Sequence, residues 1–123
     1  MDKCAKLQVR AVIVKDGDII AEGRNSPLRE CDNVTCHVDN HCVNSIHAEQ
    51  LALIKAGRRS EGATMFTNFE PCSNCRKMII SAGIKTVIYH NEKYDELNHR
   101  FKGDVEWIHD PLLEGKDNEI LRV

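Results

Sequence analysis

The order of β-prone and helix-prone segments predicts an α/β domain, a mixed five-stranded sheet covered by helices. Three observations carry this. Short apolar runs alternate with longer helical segments in the order β-β-α-β-α-β-α-β. Asp16-Gly17 joins the first two runs with a strong hairpin turn signal. Gly57 and Gly83 stand where two of the helices should end.

Each element has its own local reason. Residues 7–14 are apolar and β-prone, and residues 18–23 return as the second strand. Residues 25–40 read as a loop, rich in turn formers and cysteine. Asn44 or Ser45 can cap a helix over residues 46–56. A short third strand covers residues 63–67. A second helix covers residues 72–82, with Pro71 suited to its start. A fourth strand over 85–90, a third helix over 94–101 and a fifth strand over 105–108 complete the order. The last fifteen residues are polar, a tail or a packing arm, and no internal repeat is present.

A chain of 123 residues is one domain, residues 1–123, and long enough for a real core. Apolar content of 41% and charged content of 29% suit a soluble globular protein. No stretch approaches the length of a membrane span. The start, Met1-Asp2-Lys3-Cys4, lacks the apolar core of a signal peptide. The six cysteines therefore read as reduced, in a cytoplasmic protein, and favour metal binding over disulfides. A net charge of −2 with 5% aromatics argues against a nucleic-acid partner, although a local basic patch is compatible with a neutral total.

Two short motifs carry the chemistry: His47-Ala48-Glu49, and Pro71-Cys72-Ser73-Asn74-Cys75. Zn²⁺ prefers imidazole and thiolate ligands. One His and two Cys hold it with a fourth position open for water, whereas four protein ligands close the site. Bound Zn²⁺ lowers the pKa of water to about 7. Residues two apart on a helix point about 200° apart, so His47 and Glu49 divide their roles, His47 as ligand and Glu49 as proton carrier. Cys72 and Cys75 are three apart and share one face of a first helical turn, where the helix end favours thiolate. His-x-Glu alone means little, and Cys-x-x-Cys alone suits a redox pair or half of a structural zinc site. Together, each opening a helix with a strand between them, they point to an open catalytic zinc site. A closed structural site with another cysteine is the alternative.

The pair of motifs matches the H-x-E and P-C-x-x-C pattern of zinc-dependent base deaminases. With His41-Cys42-Val43-Asn44-Ser45-Ile46 before the first motif, and Ala82-Gly83-Ile84-Lys85 and Val87-Ile88-Tyr89 after the second, residues 7–94 resemble the cytidine deaminase superfamily, most closely deoxycytidylate (dCMP) deaminases. The resemblance implies a three-layer α/β/α fold with a mixed five-stranded sheet. It implies zinc ligands His47, Cys72 and Cys75, and Glu49 as the catalytic proton shuttle. It places Asn25 on the substrate sugar and the backbone amides of Ala48 and Cys72 beside the reacting group. Tyr94 would stack near the base or pack in the core. The implied reaction is hydrolytic deamination of a free pyrimidine nucleotide, dCMP to dUMP plus ammonia, in a homo-oligomer, often a hexamer.

Two departures bear on the substrate. The family usually reads H-A-E-x-N-A, and Leu51 replaces that Asn here. The family's Gly-rich stretch after the second strand, which helps bind nucleotide and allosteric effectors, reads Asn25-Ser26-Pro27-Leu28-Arg29-Glu30. Other ligand sets remain open. Cys31, Cys36, His37, His41 and Cys42 permit a second, structural zinc or simply pack in their loop. Arg58 and Arg59 suit a phosphate, a neighbouring subunit or plain solvent. The rival functions are another superfamily deaminase, acting on cytidine, a modified base or tRNA adenosine, and a catalytically decayed zinc-binding domain. The intact Glu49 argues against decay.

Overall fold

The computed structural model describes residues 8–28, 31, 37–38, 41–42, 45–93 and 95–111. Strands β1 (Arg10–Lys15) and β2 (Asp18–Arg24) form an antiparallel hairpin. Its turn holds Asp16 and Gly17 at φ 52° and 82°, the left-handed pair whose twist suits a two-residue hairpin. Four two-residue strands follow: β3 (Ser26–Pro27), β4 (His37–Val38), β5 (His41–Cys42) and β6 (Ser45–Ile46). β3 pairs with β6, and β4 with β5. Helix α1 (Ala48–Ala56) leads through a 3₁₀ turn, Gly57–Ser60, to β7 (Thr64–Phe69). Helix α2 (Ser73–Ser81), β8 (Thr86–Asn91), a 3₁₀ turn at Asn98–Arg100 and β9 (Glu106–His109) complete the chain.

The main sheet is mixed and five-stranded, in the order β2-β1-β7-β8-β9, as expected. β1 lies antiparallel to β2 and β7, while β7, β8 and β9 run parallel. Alternate residues Ala11, Ile13, Met65 and Val87 face both helices and meet Ala48, Ala52, Leu53, Cys75 and Ile79 in one core. A smaller cluster, Val12 and Phe66 with Val14 and Ile88 packed against them, occupies the other face. Gly23 brings β2 unusually close to α1. A Cβ there would stand 2.8 Å from Ala52 N and closer still to the carbonyl oxygen of Ala48.

The structure corrects several boundaries. The first helix begins at Ala48 rather than residue 46, because Ser45 and Ile46 are drawn into a bridge with Ser26 and Pro27. The second begins at Ser73, with Cys72 as its cap. The loop over residues 25–40 contains β3 and β4. The helix expected over residues 94–101 is reduced to the 3₁₀ turn at Asn98–Arg100. There the polar side chains compete with the helix: Asp95 accepts the Leu97 N–H in a local turn and the Ser73 N–H across the chain, and Asn98 donates to the Pro71 carbonyl. Tyr94, Cys36 and the polar tail beyond residue 111 lie outside the described residues, as do the side chains of His37, His41 and Cys42 on which the second zinc would depend.

Candidate metal and catalytic site

The N-terminal ends of α1 and α2 converge. His47 caps α1 in an extended conformation (φ −72°, ψ 146°). Gln50 Oε1 accepts the His47 backbone N–H at 3.2 Å, and Leu51 N–H closes the first turn on the His47 carbonyl. Cys72 caps α2 in the same manner, and Cys75 follows inside its first turn. These backbone choices aim three side chains at one point. His47 Nδ1 lies 3.2 Å from Cys75 Sγ and 3.7 Å from Cys72 Sγ. The three ligand atoms all lie within 4.8 Å of one another. Tetrahedral Zn²⁺ with its usual bond lengths separates such atoms by about 3.5–3.8 Å, so the group is positioned for a metal ion of that kind.

The electrostatics suit a cation. Cys72 is held down at about 4, first by a hydrogen bond from Cys75 and then by one from His47. Cys75 is pushed up, first as the donor to Cys72 and then by burial. His47 is raised chiefly by its hydrogen bond to Cys72, with the Lys93 ammonium opposing.

Glu49 is the second residue of α1 and is 5% exposed. It points into a cavity of about 130 Å³ beside the three candidate ligands. Burial is the first cause that pushes its carboxyl up, so it holds a proton more readily than an exposed glutamate. Val9 and Phe69 supply apolar wall, and Asn25, Glu70 and Lys93 supply polar wall. Asn25 Oδ1 accepts the Val9 N–H at 2.9 Å, which fixes the end of β2 against the start of β1. Ala48, fully buried, opens α1 at the cavity floor. The structure thus brings His47, Ala48, Glu49, Cys72 and Asn25 to one cavity, with Cys75 directly behind. Arg58 and Arg59 lie at the far end of α1, exposed, and do not line it.

Sequence reasoning missed the scaffold that holds Cys72. Glu70 Oε2 pairs with Arg76 Nη2 at 2.8 Å, and both side chains are largely buried. Asn98 Nδ2 donates to Glu70 and to the Pro71 carbonyl, Arg76 Nη1 donates to the Phe101 carbonyl, and the guanidinium stacks 4.0 Å over the Trp107 ring. Asp95 Oδ2 accepts the Ser73 N–H at 2.7 Å, a carboxylate at the positive end of α2. The available signal was Glu70 and Arg76 flanking the cysteine motif at opposite charge.

The model of the cytidine and deoxycytidylate deaminase zinc-binding region matches residues 1–91. The chain belongs to this family. Within the deaminase family, ComE operon protein 2 of Bacillus subtilis is 41% identical over 93 residues, covering 70% of this chain and 49% of that protein. The deoxycytidylate deaminase of Saccharomyces cerevisiae is 36% identical over 98 residues, covering 70% and 31%. The chain therefore spans about half and about a third of their lengths. Among solved structures, the dCMP deaminase of cyanophage S-TIM5 in complex with dCMP and dUMP matches with a TM-score of 0.67 at 31% identity, covering 87% of this chain and 85% of that one. Deaminase-family membership accounts for the sheet order and for a His, Cys, Cys group set at two helix starts.

Proposed function

We propose that the chain is a single zinc-dependent deaminase domain acting on a free pyrimidine nucleotide, converting dCMP to dUMP and ammonia. The observation that carries this is Glu49, buried yet facing the cavity, beside a His47, Cys72 and Cys75 group of zinc dimensions. Relatives and a structural neighbour that carry the dCMP deaminase name support the substrate. The neutral composition supports a small substrate over RNA.

His47, Cys72 and Cys75 would hold the zinc, which supplies a Lewis acid and makes hydroxide available from water near neutral pH. Glu49 takes the proton released by the attacking water. It delivers that proton to the ring nitrogen, then takes the remaining proton of the added oxygen and passes it to the departing amine, so one carboxyl serves the whole reaction. The raised affinity of Glu49 for a proton suits that shuttling between neutral and charged forms. The backbone N–H groups of Ala48 and Cys72 face the reacting ring, and Asn25 orients the sugar. Val9 and Phe69 keep bulk water from the ring.

Ammonia release across dCMP, dCTP, CMP, cytidine, deoxycytidine and a tRNA tests the reading. Turnover should be greatest on dCMP. Activity confined to tRNA, or to nucleosides, would replace this substrate class with another of the superfamily.

A further inference from the structure

A nucleotide differs from a nucleoside by a phosphate, and a phosphate must find a cation. Among the described residues, Lys93 is the one Lys or Arg that lines the catalytic cavity. It lies two residues past the end of β8 and shares the cavity with Asn25.

An exposed lysine is usually solvated surface, so its surroundings decide the matter. Three carboxylates stand within reach along the chain and in space, and each is engaged elsewhere. Glu92, the preceding residue, pairs with His109 Nδ1 at 3.0 Å. Asp95 accepts the backbone N–H groups of Ser73 and Leu97. Glu70 is neutralised by Arg76, and its second oxygen accepts the backbone N–H of Lys93 itself at 3.2 Å. The carboxylate that could have captured the ammonium instead fixes the backbone of the residue that carries it. Among the described residues Lys93 forms no ion pair. Among the described residues, Lys93 thus has a positioned backbone and an ammonium in no ion pair, at the cavity that holds the catalytic residues.

We propose that Lys93 is the anion-binding residue of the site and takes the phosphate monoester of a nucleoside monophosphate. Glu70 acts as its positioning residue through the Lys93 N–H. This rests on the nucleotide reading above. Lys93 then sets the preference of the enzyme for a monophosphate over a nucleoside, while Glu49 and the zinc ligands set the chemistry.

The test compares kcat/KM for dCMP and for deoxycytidine in the zinc-loaded wild type, Lys93→Gln and Lys93→Arg. The wild type should prefer dCMP. In Lys93→Gln that preference should fall by roughly tenfold to a hundredfold, the usual effect of losing a charge-assisted hydrogen bond. Lys93→Arg, which keeps the charge, should restore part of it. Inorganic phosphate should inhibit the wild type more strongly than Lys93→Gln. If the wild type prefers dCMP and Lys93→Gln leaves the preference unchanged, or lowers both substrates in parallel, Lys93 is not the phosphate residue and the nucleotide reading survives. If the wild type treats dCMP and deoxycytidine alike, the nucleotide reading falls and the proposal falls with it.

Discussion

Glu49 and the two cysteines sit within one turn of two helix starts, yet their environments ask different things of them. Glu49 is buried and inclined to hold a proton. Glu49→Ala should keep zinc and fold while losing roughly 10²–10⁴-fold in kcat, with little change in substrate affinity. Steady-state kinetics beside metal analysis checks this, and native zinc with near-native turnover would refute the shuttle. Cys72 and Cys75 face His47 Nδ1 within hydrogen-bonding distance for sulfur. Replacing either with Ser should strip or weaken zinc binding, because a hydroxyl is a far poorer ligand than a thiolate. Zinc content of the purified variants, with the loop cysteines also removed, is the measurement. Both variants at full occupancy would sink the ligand assignment.

At the scale of elements, β2 packs tightly against the first turn of α1 at Gly23. Gly23→Ala should destabilise by about 1–3 kcal/mol, the usual range for overpacking, and should weaken zinc binding as His47 shifts with the helix start. Arg76→Met leaves Glu70 buried without its partner and should cost about 3–5 kcal/mol in urea unfolding. The same elements show what the sequence made legible. The Asp16-Gly17 turn, the strands and the zinc motifs were readable because their causes are local: turn conformation, alternation and spacing. The start of α1 was not, because the β3–β6 bridge joins residues far apart in the chain. Residues 95–101 have helix-forming composition, but Asp95 and Asn98 spend their side chains on α2 and on the segment before it. Lys93 carried no pattern of its own, and Glu70 only its charge opposite Arg76 across the cysteine motif. They meet the site only because parallel β7 and β8 end side by side.

Taken whole, the molecule hangs its site on the C-terminal ends of β7 and β8 and on the open end of the β1–β2 hairpin. No helix among the described residues is long and apolar enough to cross a membrane. The homo-oligomer that the family resemblance implies is checked by sedimentation velocity of the purified chain, and a monomer at micromolar concentration would reject it. Acid should loosen the fold in a predictable direction. Arg10 holds Glu22 below the usual carboxylate range, and the Ser73 and Leu97 amides do the same for Asp95. A carboxyl lowered on folding adds stability above its unfolded pKa, and that stability is lost as pH falls through the folded value. Denaturation midpoints should therefore drop below roughly pH 4. Glu22→Gln should flatten part of that slope, and an unchanged slope would remove Glu22 as a contributor.

The scaffold around Cys72 has a thermodynamic consequence. Glu70, Arg76, Asn98 and Asp95 pin the cysteine turn through bonds in which no candidate ligand side chain takes part. Chelation should therefore empty the chain without unravelling it, unlike a small zinc finger, whose folding and metal uptake are one event. Circular dichroism after dialysis against a chelator should retain the native spectrum, and re-addition of zinc should restore activity without a refolding lag. Because those bonds hold the cysteine turn without the ligand side chains, metal uptake need not organise that turn, and the thermal midpoint should climb with free zinc as mass action requires.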